Sequence, residues 1–133
     1  MKTQRCSIRL APRLENLTAL ERFVAQCPFL DQTHRERATL VVTEFFDNIV
    51  THSRPRTPFP VSFTLEKASA PRIVIRYSTM NFHKMIRGAR SAHPHYEASS
   101  ARYRGLGLLM CRNLSSSIVY KKGLLRSSIV IIL

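Results

Sequence analysis

Glu44, Asn48 and His52 stand at intervals of four residues. In a helix they share one face, each turned about 40° from the one before. The stripe combines a carboxylate, an amide and an imidazole. A carboxylate so placed can act as a general base or orient a water. A neutral amide oxygen suits Mg²⁺, a hard ion that keeps most of its water and takes few protein ligands. A solvated helix face gives the same spacing, but a solvated face in this chain would be expected to carry Arg or Lys. None occurs between Arg37 and Arg54, although the chain has 21 Lys and Arg. Chemistry is the reading preferred here.

Arg104-Gly105-Leu106-Gly107-Leu108 is the second feature. Glycines at a helix entrance let backbone N–H groups approach a phosphate, and the helix dipole favours the anion there. A plain turn into a core helix would look alike. No Gly-Lys-Ser/Thr follows, so this is not a P-loop, and no strand precedes it as a dinucleotide fingerprint requires.

These residues need elements to hold them. Arg5 to Leu10 alternates as a half-buried strand does, and Pro12 to about Cys27 has helical spacing that must end before Pro28. Thr33 and Glu36 match a capping box, opening a long helix that runs to about His52 and carries the polar stripe. Three prolines make 54–60 a loop. Val61, Phe63 and Leu65 alternate with polar residues as a strand, and Arg72–Tyr77 reads as another, nearly apolar on both faces. Residues 78–104 keep no period and read as one long irregular stretch, a functional lid or a disordered segment. Helical spacing resumes from Gly105 to Ser117, and two strands, Ile118–Tyr120 and Ser128–Leu133, close the chain. The order β α α β β, long loop, α β β predicts a single α/β domain over 1–133. It is a two-layer sandwich whose mixed, mostly antiparallel sheet is covered by helices on one face.

Composition narrows the classes. A chain of 133 residues with 44% hydrophobic content can bury its own core and is not disordered. Its longest apolar run, Ile129 to Leu133, falls far short of the roughly twenty residues of a membrane helix. The basic N-terminal stretch offers no apolar core for a signal peptide, so the expected location is the cytoplasm. Cys6, Cys27 and Cys111 are odd in number and lack metal-ligand spacing, which points to three buried, reduced thiols. His93-Pro94-His95 has no partners at ligand spacing, and no metal is expected there. The net charge of +13 is uneven: residues 1–53 are nearly balanced, whereas 54–133 hold fourteen Lys and Arg against Glu66 and Glu97. Such a field attracts phosphates, acidic proteins or nucleic acid. Five of those cations fall between Thr79 and Arg104, where they would form a docking field around one site.

Taken together, the stripe and the turn resemble a known family. Glu44-x-x-x-Asn48-x-x-x-His52 is similar to the N box of the Hsp90/histidine-kinase/MutL-type (GHKL) ATPases. Arg104-Gly105-Leu106-Gly107-Leu108 is similar to their second glycine box, at similar separation and in the same strand–helix order. The small size and the run Thr43-Glu44-Phe45-Phe46-Asp47-Asn48-Ile49-Val50-Thr51-His52 most resemble the anti-sigma-factor serine kinases of partner-switching systems. The resemblance spans about Arg5 to Leu133. It implies a Bergerat-type sandwich that takes ATP or ADP with Mg²⁺. In that scheme Glu44 is the catalytic carboxylate, Asn48 the Mg²⁺ ligand and nucleotide contact, and His52 a structural end to the motif. Arg104, Gly105, Leu106 and Gly107 cradle phosphates, and 79–104 is the lid. Arg102 or Arg104 would offset developing charge. The implied partners are a sigma factor and an antagonist protein phosphorylated on serine, with homodimers frequent among relatives.

One part departs. Where the family carries Asp-x-Gly-x-Gly, its first glycine box, this chain reads Tyr77-Ser78-Thr79-Met80-Asn81. Tyr77 cannot supply the ionised acceptor for an adenine amino group, and its ring would take up the space of the base. Arg126-Ser127 stands for the Gly-Thr that precedes the last strand, keeping a hydroxyl and losing a glycine. The expected function is an anti-sigma-like regulator that binds protein partners and phosphorylates one if ATP is held. The alternatives are an inactive pseudo-ATPase binding module and, less favoured, a basic nucleic-acid-binding module. The nucleic-acid reading suffers from thin aromatic interleaving at Phe82, Tyr96 and Tyr103.

Overall fold

The computed structural model describes residues 4–52, 59–81, 83, 87, 95–97, 102–104 and 106–133. Strand β1 (Arg5–Leu10) leads through a 3₁₀ turn (Leu14–Asn16) into α1 (Leu17–Ala25), followed by α2 (Gln32–His52). Strands β2 (Val61–Glu66) and β3 (Arg72–Ser78) form a hairpin, and a second 3₁₀ turn (Thr79–Asn81) follows β3. Two three-residue strands, β4 (His95–Glu97) and β5 (Arg102–Arg104), precede α3 (Leu106–Leu114), β6 (Ser117–Lys121) and β7 (Arg126–Ile132).

Five strands make one sheet in the order β1-β2-β3-β7-β6. Its four ladders are all antiparallel, so the parallel component expected of a mixed sheet does not occur among them. The two-layer α/β sandwich itself is as expected. β3 lies at the centre because both its faces tolerate burial: Ile73, Ile75 and Tyr77 face the helices, and Val74 on the other side is also buried.

The core joins Leu20 and Val24 of α1 to Val41, Val42, Phe45, Phe46 and Ile49 of α2, and both to Phe63, Leu65, Ile73, Ile75, Ile129 and Ile131 of the sheet. Phe46 meets Phe63 edge to face, ring centroids 5.9 Å apart at 66°, a favoured geometry for two aromatic quadrupoles. The hydroxyls of Thr39, Thr43 and Thr51 donate to carbonyls one turn earlier, which satisfies polar groups that would otherwise compete with the helix. Arg35 donates to the carbonyls of Cys27 and Leu30, fixing the α1–α2 connection to the helix that follows.

The start of α2 differs from the expected capping box. Asp31 is the cap, its Oδ1 accepting from the His34 backbone N–H at 2.8 Å, while Thr33 lies within the first helical turn. That backbone hydrogen bond, followed by the nearby His34 and Arg35, holds the Asp31 carboxyl below its ordinary pKa. Of the three free thiols, Cys27 and Cys111 are buried and Cys6 is half-buried on the edge strand. The N-terminal helix is shorter than its spacing predicts, because residues 14–16 form the 3₁₀ turn.

Candidate functional site

α2 and α3 pack side by side on the sheet, which brings the polar stripe to the glycine turn. Glu44 projects from the middle of α2 onto Gly107, the second residue of α3. A Cβ built on Gly107 would overlap the Glu44 carboxylate, with Oε1 only 2.6 Å away. A methyl there would have to push the end of the Glu44 side chain aside. The carboxylate thus lies over the first turn of α3, where the positive end of the helix dipole favours an anion. Phosphate would be favoured there for the same reason.

Cys111, one turn beyond Gly107, marks how closed this corner is. Burial, with the Glu44 charge as a second cause, pushes its thiol up to about 12 from 9.0. Gly107 and Cys111 are four residues apart, a spacing that would have placed the thiol on the glycine face, but the sequence reading did not connect Cys111 to the stripe.

Asn48 and His52 continue the Glu44 face along α2, each half-buried. Arg104 ends β5 opposite His95, and Leu106 begins α3. Gly105 lies outside the described residues, as do the side chains of Arg102, Arg104 and Leu106. The stretch read as an irregular lid contains a paired hairpin, with Tyr96 opposite Tyr103 and Glu97 opposite Arg102. Of its five cations, only Arg87 has a described side chain, and it is exposed. The His93-Pro94-His95 side chains also lie outside the described residues, and those residues hold no cluster of three or more His, Cys, Asp or Glu suited to a metal.

The opposite end of the site is built differently. Tyr77 stands on the helix-facing side of β3, 1% exposed. Its hydroxyl has no hydrogen-bond partner among the described residues. Burial, and secondarily Tyr120, keeps the phenol well above its ordinary pKa and hence neutral. Tyr77 pairs with Ser127 across the β3–β7 ladder. Ser127 is fully buried, and its Oγ lies 2.9 Å from Thr79 Oγ1 and accepts from the Gly123 N–H at 3.3 Å. The hydroxyl that Ser127 keeps from the family's Gly-Thr is therefore committed to the protein's own turn.

The two halves of the site answer differently to Mg²⁺ and ATP. The Glu44–Gly107 corner has the glycine approach and donor types that a phosphate and a hard metal need, with Asn48 one turn along. The base side fits less well: at the position that the family resemblance gives to the adenine-binding Asp stands a buried, neutral tyrosine, which supplies no ionised acceptor.

With that geometry in view, a family model described as the histidine kinase-like ATPase domain matches residues 10–132. No curated protein matches the chain. Among the described residues no helix is long and apolar enough to cross a membrane.

Proposed function

The chain belongs to the histidine kinase-like ATPase domain family, and within it we propose a regulator of the partner-switching, anti-sigma-factor-like type that acts by binding proteins. Its partners would be a sigma factor, an antagonist protein, or both in turn. The observation that carries the reading is Tyr77, a buried ring whose hydroxyl has no partner among the described residues, at the position where the family resemblance calls for the adenine-binding Asp. Domains of this family use ATP with Mg²⁺, and this chain keeps the frame while filling the base side with protein.

In this reading the polar stripe has a resident task. Glu44 places a negative charge over the first turn of α3 and packs on Gly107, which orients α3 against α2. The α2–α3 pair and the neighbouring strand ends then form a preorganised surface, and preorganisation reduces the entropy lost when a partner docks.

A second reading, an ATP-dependent serine-protein kinase, is favoured by the same Glu44–Gly107 contact, since a carboxylate beside a glycine at a helix entrance is suited to activating an acceptor hydroxyl. Two experiments separate them. Titration of the protein with Mg-ADP in a calorimeter is expected to give no binding heat. Transfer of labelled phosphate to a cognate antagonist, lost in Glu44→Ala, would establish the kinase instead.

A further inference from the structure

The β6–β7 hairpin presents large apolar side chains to solvent. Leu124 is 94% exposed and Leu125 72%, while Met80, in the turn beside them, is 69% exposed. Such a patch on a floppy loop would mean little, but this one is held rigid. Thr79 donates from its hydroxyl to the Gly123 carbonyl at 2.9 Å and from its backbone N–H to the Leu125 carbonyl at 3.1 Å. Ser127 engages both Thr79 and the Gly123 N–H. A Cβ on Gly123 would run into the Arg126 carbonyl, so the turn is tight as well as tied. Large apolar groups held in water on a braced platform mark an interaction surface.

The charges around the tip say what kind. Lys121 and Lys122 precede the leucines and Arg126 follows them, all exposed. No ion pair among the described residues engages any of the three. Arg76 extends the field, since it and Lys121 both pair with Ser128 across the sheet. No Asp or Glu occurs anywhere from residue 98 to 133. The tip therefore has apolar anchors at its centre and positive charge on both flanks, with no acid of its own to balance it. Leucines offer no stacking face to a nucleic-acid base. Two leucines and a methionine, without an aromatic or a lipid chain, give a bilayer little to hold.

We propose that this hairpin tip docks an acidic, amphipathic segment of a protein partner. Leu124, Leu125 and Met80 would enter its apolar face, and Lys121, Lys122, Arg126 and Arg76 would meet its carboxylates. The inference rests on the reading that the domain works by binding proteins, and it names the chemistry of the partner. Central apolar anchors then carry most of the affinity, and the flanking cations add association rate and salt sensitivity.

A random-peptide display selection on the wild-type protein tests it, with enriched peptides measured by fluorescence anisotropy. Selected peptides are expected to combine Asp or Glu with Leu, Ile or Phe and to weaken with added salt. Binding should fall about tenfold or more in Leu124→Ser/Leu125→Ser and in Lys121→Glu/Lys122→Glu. The altered side chains are exposed, so the fold should be kept, which circular dichroism checks. The proposal is overturned if no peptide is enriched, if enriched peptides lack acids, or if they bind the variants as they bind wild type. Leucine-dependent binding to phosphatidylglycerol vesicles but not to peptides would assign the tip to lipid and also overturn it. Each of these failures leaves the Mg-ADP titration untouched, so the hairpin and the function reading can fail separately.

Discussion

The Glu44–Gly107 corner and the Tyr77 end are the two places to which the family resemblance assigns ligand contacts, and each obeys a different constraint. At Gly107 the backbone has been stripped to hydrogen so that a carboxylate can lie on it. At Tyr77 one of the largest fully buried side chains of the domain fills the space behind β3. The first arrangement suits an anion, and the second offers a base no ionised acceptor. The lesson concerns the glycine as much as the tyrosine. Gly107 lets the Glu44 carboxylate lie on α3 whether or not any nucleotide is bound, so a glycine turn of this kind can serve packing as well as a ligand. A ligand-shaped motif and a ligand site are then separable.

The largest test of that contrast is truncation of the ring. Tyr77→Ala opens a core cavity and is expected to destabilise the fold by about 3–5 kcal/mol in chemical denaturation. Tyr77→Phe should do the reverse, because it removes a buried hydroxyl that has no partner among the described residues. Stability equal to wild type or about 1 kcal/mol higher is expected. A loss on Tyr77→Phe would mean that the hydroxyl is bonded and the filled-pocket description is wrong.

At the other end, Gly107→Ala drives a methyl into the Glu44 carboxylate, the far end of a flexible side chain that can swing aside, so the loss should stay under about 1 kcal/mol. Glu44→Ala in the same chain should relieve much of that loss, so the pair is expected to be non-additive. Additive losses would show that the two residues are not in contact in solution.

Much of this was legible in the residues, and what was not has physical causes. The α2 stripe could be read because its side chains repeat with the helix itself, and the burial of Tyr77 follows from alternation with Ile73 and Ile75. The contact of Glu44 with Gly107 spans two helices distant in sequence, and no local period encodes it. The β4–β5 hairpin escaped because three-residue strands such as His95–Glu97 are too short to show alternation. Asp31 and Thr33 are both good capping residues two positions apart. The Glu36 that seemed to complete a box with Thr33 instead accepts from the Gln32 side chain. Ser127 kept its hydroxyl in sequence, but only the fold reveals that Thr79 and Gly123 take it up.

Smaller effects follow from the titrating groups. The Cys111 thiol is raised to about 12 in the folded state against 9.0 as its ordinary value. Its protonated form is favoured by folding, so this contribution is fully present below pH 9 and is lost as pH rises toward about 12. Cys111→Ala should flatten the alkaline limb of a stability–pH profile, and the native thiol should resist a disulfide reagent at pH 8 until the protein unfolds. At the acid end Asp31 has a lowered pKa. Its cap is in place above pH 3.8 and lost as pH falls through the lowered value. Asp31→Ala should remove that part of the acid-side slope, the smallest change of the series.

Calorimetric titration of the wild-type domain with Mg-ADP bears most directly on whether a filled base site has turned this frame into a binding module. No heat of binding beyond dilution is the predicted result. A saturable isotherm with one nucleotide per chain would contradict it, because it would show that a base is held although a buried Tyr77 stands in place of the family's Asp.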